Sequence, residues 1–379
     1  MRRPGWIVVL AAALATVLGS LLPNATVTAA MRAGTHAAVP DCPLGNEPYS
    51  VDTPLLDILL NPAATAALRS EPGFARFLDG AQPMLLRTEA PSFGAIVTPR
   101  FLLGWARLPK DVLPGIERRL REVPVTPADR ALRCARYDEE VPRFDLPKGR
   151  PALLVFEKMT GFRDGPSVDA AHEALAALAA RNGWTVVFTD RGGVMRPALL
   201  RRFAAVVWNN VSGDVLTVSQ RAAFRAYVEN GGGFVGIHGS GGDPVAFWPW
   251  YLDELVGARF LGHPMAPQFR TATLTLSDWG RQLAPGLPPT WSMKDEWYSF
   301  TANPRASGAR VVATLDESTY APGPELAMGA DHPIAWTREP GKGRAFYTAI
   351  GHLPETYSDP RAVELLQSGI AWAARLPRR

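Results

Sequence analysis

Residues 152–156 read ALLVF, a continuous apolar run typical of a strand that is buried on both faces of a sheet. The residues that follow predict a helix, because Ser167 can cap a segment whose apolar positions recur at helical spacing as far as Ala179. Asn182-Gly183 marks the end of that helix. The chain around residue 152 therefore predicts one strand–helix unit.

The same unit repeats along the chain. Three further strands are predicted at 184–188, 204–208 and 234–237, with helices at 197–203 and 218–229 between them. Strands that alternate with helices at this spacing predict an α/β fold with an open parallel sheet. Later segments predict four more strands and a closing helix, at 271–276, 310–315, 333–337, 343–350 and 360–374.

The segments before residue 151 differ from this domain in texture. Residues 49–123 predict a small helical region, with helices expected at 63–68, 74–78 and 112–123. Residues 31–48 and the proline-rich stretch 124–150 are predicted to be linkers. The predicted order is a leader at 1–30, a linker, the helical region, a second linker and an α/β domain at 151–375.

The first 30 residues resemble an export signal. Arg2 and Arg3 precede an apolar run at 6–22, and small residues follow Pro23 as far as Ala30. The alternative is a retained N-terminal anchor, although the run is short for a membrane span. With either reading we expect the protein in a secreted or periplasmic location, touching a membrane only through this segment if it stays uncleaved.

The cysteine content agrees with export. Only Cys42 and Cys134 are present in the 379 residues, and in an oxidising compartment they can pair as a disulfide. Two unrelated buried thiols are the alternative. The net charge is +4, from 40 basic and 36 acidic residues, and no basic cluster marks any single element. Nucleic acid is therefore not expected as a partner.

Histidines follow the predicted strands where a ligand site is expected. His238 directly follows the strand at 234–237, and His352 follows the one at 343–350. Ligands of open α/β sheets bind beyond the carboxyl ends of the strands. We therefore predict that His238 and His352, with Glu296 as the partnering carboxylate, act as acid and base or bind a divalent metal.

Two further histidines complete the candidate set. His263 and His332 lie in turn contexts, and we expect them to line the same pocket, as further metal ligands or as supports. The alternative for each of the four histidines is a purely structural hydrogen bond. His172 is expected to face solvent from a helix.

Several residues are candidates for substrate contacts. The rings of Trp250, Trp297 and Tyr298 are candidates for stacking on a sugar, with ordinary packing as the alternative, and Asp295 adds a carboxylate beside them. Ser240 lies in a glycine-rich turn that resembles a hydrolase elbow, although it stands two residues beyond the position that such a nucleophile takes.

With these residues in view, the chain from about 151 to 375 resembles the ThuA-like (trehalose utilisation) family. The matching stretches are 231–240, 247–264, 295–300, 311–320, 331–338 and 343–352. The resemblance implies the flavodoxin-like fold of the class I glutamine amidotransferase superfamily and a role in sugar catabolism.

Two positions depart from the related patterns. His238 stands where the amidotransferases have a cysteine nucleophile, and no cysteine follows Cys134, so glutaminase activity is not expected. Asp164 stands where many members of the family have a histidine, which still leaves an oxygen ligand at that position.

Three functions remain open from the sequence. The leading hypothesis is an exported enzyme that acts on a sugar or keto-sugar derivative by acid/base or metal-assisted chemistry. The second is a non-catalytic carbohydrate-binding or scaffold protein. The third is a serine hydrolase that uses Ser240. A small-molecule carbohydrate is the expected partner in the first two.

Overall fold

The computed structural model describes residues 41–377. The expected signal or anchor at 1–30 lies outside these residues. No helix between residues 41 and 377 combines the length and the apolarity that a membrane span requires.

The first part of the described chain is helical. Its seven α-helices are α1 Leu55–Leu59, α2 Pro62–Arg69, α3 Pro72–Asp79, α4 Pro83–Leu86, α5 Pro99–Ala106, α6 Leu113–Arg121 and α7 Pro127–Cys134. Prolines lie in the first turn of six of them, where a missing N–H leaves no hydrogen bond unmade. These helices bury their own apolar cluster, which includes Tyr49, Leu55, Phe74 and Ile116.

Helix α7 lies within the stretch 124–150 that the sequence predicts to be a linker. Thr126 caps the helix by accepting from the Asp129 backbone N–H, and the Asp129 side chain accepts from the Thr126 backbone in return. Pro127 therefore begins a helix, so the expectation of a linker is corrected for this part of the stretch. The high proline content of 124–150 had suggested a linker.

Covalent and ionic contacts join α7 to the rest of the chain. Cys42 and Cys134 form a disulfide. The Arg136 guanidinium pairs with the buried carboxylate of Asp57, with 3.1 Å between Nη2 and Oδ2. Tyr137 donates a 2.6 Å hydrogen bond to Asp214, which lies in the α/β domain. The segment after α7 therefore connects the helical region to the sheet domain.

The second part is built on a nine-stranded sheet in the order β2-β1-β3-β4-β11-β10-β9-β6-β7, with β5 and β8 paired separately. The strands are β1 Ala152–Phe156, β2 Thr185–Thr189, β3 Ala205–Asn209, β4 Gly233–Ile237, β5 Phe260–Gly262, β6 Phe269–Leu276, β7 Thr290–Glu296, β8 Ser299–Phe300, β9 Arg310–Asp316, β10 His332–Arg338 and β11 Arg344–Thr348. The first five strands in this order are parallel, and the remaining four pair antiparallel.

Five helices accompany the sheet: α8 Gly165–Asn182, α9 Pro197–Leu200, α10 Val218–Glu229, α11 Asp278–Leu283 and α12 Pro360–Ala373. Strands β1, β3 and β4 are buried along their whole length, as their apolar runs predict. The α/β fold predicted from the sequence is confirmed. The antiparallel half adds strands that the sequence did not predict, among them β7, which carries part of the candidate site.

Candidate functional site

His238 begins the candidate site at the carboxyl end of β4. Its backbone is left-handed, with a φ of +40°, a conformation that costs free energy in any residue other than glycine. The ring is buried, and Nδ1 lies 2.7 Å from the carbonyl oxygen of Ala349. Because a carbonyl oxygen only accepts, Nδ1 carries the proton and Nε2 presents a lone pair.

His352 follows β11, the neighbouring strand. Its Nε2 lies 3.5 Å from a carboxylate oxygen of Asp164, and its Nδ1 lies 3.1 Å from Nε2 of His238. A carboxylate favours the proton on the nitrogen that faces it. Glu296 faces Nδ1 of the same ring at 3.1 Å, so Nδ1 presents a lone pair only when the proton lies on Nε2, toward Asp164. Asp164, which the sequence singled out as an oxygen near the site, orients this histidine.

Asp295 holds the turn that carries His352. Its buried carboxylate accepts five hydrogen bonds of 2.8–3.1 Å, from the backbone N–H groups of Glu296, Gly351, His352 and Leu353 and from the Thr356 hydroxyl. Burial raises the pKa of Asp295, against the nearby His238 and these donors. All of its contacts are used within the protein. The expectation that Asp295 binds substrate is therefore corrected: it positions the His352 turn.

Glu296 ends β7 and is buried beside both histidines. Its Oε2 lies 3.1 Å from Nδ1 of His352 and 3.3 Å from Nε2 of His238. Its other oxygen, Oε1, accepts from the Gln268 amide and lies 3.2 Å from Nδ1 of His263. Gln268 and His263 therefore fix the carboxylate so that one oxygen points at the two imidazoles.

Three possible ligand atoms thus converge: Nε2 of His238, Nδ1 of His352 and Oε2 of Glu296. They lie 3.1–3.3 Å from one another, and they form the group of possible metal ligands found among residues 41–377. Lone pairs at this separation repel unless a proton or a metal ion lies between them. Metal–ligand bonds of about 2.0–2.2 Å place neighbouring ligand atoms roughly 2.8–3.6 Å apart, so the spacing fits one metal ion.

The charges of the three residues agree with this description. Burial raises the pKa of Glu296, but the imidazoles of His238 and His352, which donate to it when protonated, outweigh burial and hold that pKa well below its usual range. Burial lowers the pKa of His352, but the hydrogen bond to Glu296 and the nearby carboxylates outweigh it and raise that pKa. In the absence of a metal, the cluster therefore takes up a proton and keeps its carboxylate ionised.

The other two predicted histidines take different places. His263 is partly exposed and touches Glu296, so it lies beside the three converging ligands. His332 is fully buried elsewhere. Its Nε2 lies 2.8 Å from the carbonyl oxygen of Tyr298, and its Nδ1 lies 2.8 Å from Glu317. Both of its nitrogens are occupied, so the expectation that His332 binds a metal with the other histidines is corrected.

The predicted aromatic contacts are largely buried. Trp297 is fully buried and donates its indole N–H to the carbonyl oxygen of Arg270, so no ring face is open to a sugar. Tyr298 is also buried, with its ring 4.2 Å from that of His238, and it forms a wall of the site. Trp250 packs against Trp248 and lines a separate groove. The expectation of sugar stacking is corrected for Trp297, whereas for Trp250 it stays a prediction, at a groove apart from the three converging ligands.

Ser240 does not have the surroundings of a nucleophile. The residue is buried, and its hydroxyl donates to the carbonyl oxygen of Trp208 and accepts from the backbone N–H of Val211. Both hydrogen bonds stay within the protein, and the histidine of the same turn, His238, directs its ring to Ala349, Glu296 and His352. The expectations that Ser240 attacks or binds a substrate are therefore corrected.

Sequence reasoning missed two residues that orient the site. Gln268 holds Glu296, and the register of the sheet places it there, because Phe269 pairs with Glu296 across β6 and β7. The Ala349 carbonyl orients His238. The only sequence signal for either was its position next to a strand end.

Residues 152–373 match the model of the family ThuA, described as trehalose utilisation. A ThuA-like protein from Bacteroides uniformis ATCC 8492 is 22% identical, with 62% of this chain and 95% of that chain covered and a TM-score of 0.51, which shows a shared fold. A second, from Parabacteroides merdae ATCC 43184, is 19% identical, with 61% and 92% covered and a TM-score of 0.47. Among curated proteins nothing matches the chain.

Proposed function

Because the chain belongs to the ThuA (trehalose utilisation) family, we propose that it is an enzyme that acts on a sugar or keto-sugar derivative with the help of one divalent metal ion. The ligands are His238, His352 and Glu296. One observation carries the proposal: three possible ligand atoms converge within 3.3 Å while the outer nitrogen of each histidine faces an acceptor. Two imidazoles and one carboxylate suit a divalent transition metal and leave coordination positions open for a substrate.

The orienting contacts support the metal ligands. Metal-binding histidines almost always donate their second ring N–H to a carbonyl or a carboxylate. His238 has the Ala349 carbonyl for this purpose, and His352 has Asp164. Gln268 and His263 occupy the remaining oxygen of Glu296.

A keto sugar suits these residues as a substrate. A divalent ion held by His238, His352 and Glu296 would supply the positive charge that stabilises an oxyanion formed by removal of a proton next to a carbonyl. His263 is placed to take that proton, because its Nδ1 faces two acceptor oxygens, of Glu296 and Pro264, and its Nε2 keeps a lone pair. The C–H electron pair becomes part of a carbon–carbon double bond, and the carbonyl electrons move to oxygen. Isomerisation follows when the proton is returned to the former carbonyl carbon and a hydroxyl proton moves from the neighbouring oxygen to the former carbonyl oxygen. Elimination follows when the carbonyl re-forms, its electron pair expels the leaving group from the next carbon, and that group departs with the proton held by His263.

We further propose that the protein works outside the cytoplasm, in a secreted or periplasmic location. The Cys42–Cys134 disulfide supports this location, because such bonds persist in oxidising compartments.

Metal content tests the proposed function. The protein is purified without chelator as wild type, His238→Ala, Glu296→Gln and, as a matched control, His172→Ala, which removes a half-exposed histidine that contacts Glu157. We expect about one metal ion per chain in the wild type and the control, by the one-site geometry, and a loss of metal in the other two variants. A wild type that retains no metal, or a His238→Ala protein that keeps it, contradicts the proposal.

A further inference from the structure

The first residue after β3 shares the unusual backbone of His238. Asn209 pairs with Ile237 across β3 and β4, so the residues that follow them, Asn210 and His238, lie side by side at the carboxyl end of the sheet. Asn210 has a φ of +53° and His238 a φ of +40°, so both are left-handed. A strained conformation of this kind persists only where the surrounding contacts fix it. The turn that carries His238 therefore needs contacts that hold it.

The buried side chain of Asn210 supplies one such contact. Its Oδ1 accepts a 3.1 Å hydrogen bond from the backbone N–H of Gly239, the residue after His238. Because a backbone N–H only donates, the amide oxygen of Asn210 faces Gly239 and the amide nitrogen is left for other partners. A Cβ added to Gly239 would lie 3.3 Å from this oxygen, so the approach is close. Asn210 therefore restrains the turn that carries the His238 ring.

The amide nitrogen of Asn210 leads to the turn of His352. It donates to the Tyr357 hydroxyl at 3.3 Å, and this hydroxyl donates a 2.8 Å hydrogen bond to the carbonyl oxygen of Gly351. Burial raises the pKa of Tyr357, so the hydroxyl keeps the proton that it donates. Gly351 directly precedes His352 in the chain. Hydrogen bonds through two side chains therefore join the residue after His238 to the residue before His352.

The Asn210 amide is also anchored to the interior of the domain. Its nitrogen donates a second hydrogen bond, of 3.0 Å, to Oδ1 of Asn209. Asn209 is fully buried, and its own amide nitrogen donates to the Glu157 carboxylate at 2.8 Å and to the Val168 carbonyl at 3.0 Å. Both amide nitrogens thus have two acceptors each, and rotation of either amide breaks hydrogen bonds. Asn210 is therefore fixed in one orientation.

We propose that Asn210 and Tyr357 are positioning residues, which hold the turns of His238 and His352 at the separation that one metal ion requires. This inference rests on the proposed function. The two turns follow neighbouring strands, and the ligand nitrogens that they carry lie 3.1 Å apart. A turn that relaxes changes this separation and weakens a metal–ligand bond. The hydrogen bonds of both side chains are made within the protein, so their effect on the metal passes through the two turns.

Titration of the chelator-treated and dialysed protein with Co²⁺, followed by visible absorption, tests this link. The wild type is expected to bind about one Co²⁺ per chain. Asn210→Gly suits the left-handed backbone and removes the amide, and we expect its Co²⁺ affinity to fall about 10- to 100-fold. Tyr357→Phe keeps the ring and removes the hydroxyl, and we expect a fall of about 2- to 10-fold, the equivalent of one hydrogen bond.

Two further readouts separate positioning from general stability. The absorption bands of bound Co²⁺ depend on the arrangement of its ligands, so we expect them to change in both variants. Because Asn210 and Tyr357 share one hydrogen bond, we expect the double variant to lose less Co²⁺ affinity than the product of the two single losses.

Tyr227→Phe is the matched control. The Tyr227 hydroxyl donates a 3.1 Å hydrogen bond to the carbonyl oxygen of Phe203 and lies 3.4 Å from that of Gly233, at the amino end of β4. Its removal is expected to lower the urea midpoint of the chelated protein as Tyr357→Phe does, but to leave Co²⁺ affinity and absorption unchanged.

The possible failures are distinguishable. A wild type that binds no Co²⁺ overturns both the proposed function and this inference. A wild type that binds Co²⁺, with both single variants matching its affinity and absorption, overturns the inference alone. A double variant that loses the full product of the two single losses also overturns it.

Discussion

Replacing Asp295 with asparagine keeps the shape of the side chain and removes one of its acceptor oxygens. In the native protein, Oδ2 accepts from the Gly351 N–H and the Thr356 hydroxyl. Oδ1 accepts from three backbone N–H groups, those of Glu296, His352 and Leu353. If the new amide nitrogen takes the Oδ2 position, the Gly351 N–H loses its acceptor. If the amide nitrogen takes the Oδ1 position, three backbone N–H groups lose their acceptor.

The expected loss of stability follows from the number of N–H groups that lose their acceptor. A buried N–H without an acceptor costs about 1–3 kcal/mol, and the remaining hydrogen bonds lose the strength that a charged acceptor gives. We therefore expect Asp295→Asn to lower the free energy of unfolding by about 2–4 kcal/mol, even when the turn rotates to the better arrangement. Because the same turn carries His352, we expect metal affinity to fall by about 10- to 100-fold.

Urea unfolding, followed by circular dichroism in the presence of chelator, measures the first effect without a contribution from bound metal. Metal titration of the refolded protein measures the second. Asp278→Asn, which changes an exposed aspartate on α11, is the matched control and is expected to stay within about 0.5 kcal/mol of the wild type. An Asp295→Asn protein as stable as that control would refute the role assigned to Asp295.

Two further predictions follow from the charges of the site and from the disulfide. Without metal, the lowered pKa of Glu296 contributes stability above its ordinary pKa of 4.5, and this stability is lost as the pH falls through the folded pKa. The raised pKa of His352 contributes stability below its ordinary pKa of 6.5, and this stability is lost as the pH rises through the folded pKa. The urea midpoint of the chelated protein therefore falls from about pH 6 toward pH 9, and it falls more steeply than that of His352→Gln. Metal affinity rises over the same pH range because fewer protons compete for the ligands. Equal slopes of the urea midpoint in the two proteins would contradict the raised pKa of His352. Replacing Cys42 and Cys134 with serine lowers the free energy of unfolding by about 2–5 kcal/mol. Reduction of the wild type is expected to cause the same loss. A smaller loss would show that the segment between the two residues is held in place without the disulfide.

The parallel half of the sheet could be predicted because its strands carry a local signal. An apolar run such as 152–156 has one stable environment, a strand covered on both faces. Strand β7 has no continuous apolar run. Buried and exposed residues alternate along it, and it ends in two acidic residues. The burial of these two acidic residues depends on hydrogen-bond partners that only the tertiary fold supplies.

The candidate site was predictable to a similar extent. The strand-end rule found His238 and His352, because both leave neighbouring strands at the same edge of the sheet. The rule could not exclude His332, whose partners Glu317 and Tyr320 come from the turn after β9 and pack against it only in the folded chain. The burial of Trp297 could not be predicted from the sequence either, since an aromatic residue beside two acidic ones occurs both in cores and at binding sites.

The central claim is that His238, His352 and Glu296 bind one metal ion. Anomalous diffraction from crystals of the protein purified without chelator, collected on both sides of the absorption edge of the metal found by elemental analysis, tests it most directly. The account predicts one anomalous peak about 2.0–2.2 Å from Nε2 of His238, Nδ1 of His352 and Oε2 of Glu296. A metal peak bound by other residues, or crystals that show no peak between these three atoms, would contradict it.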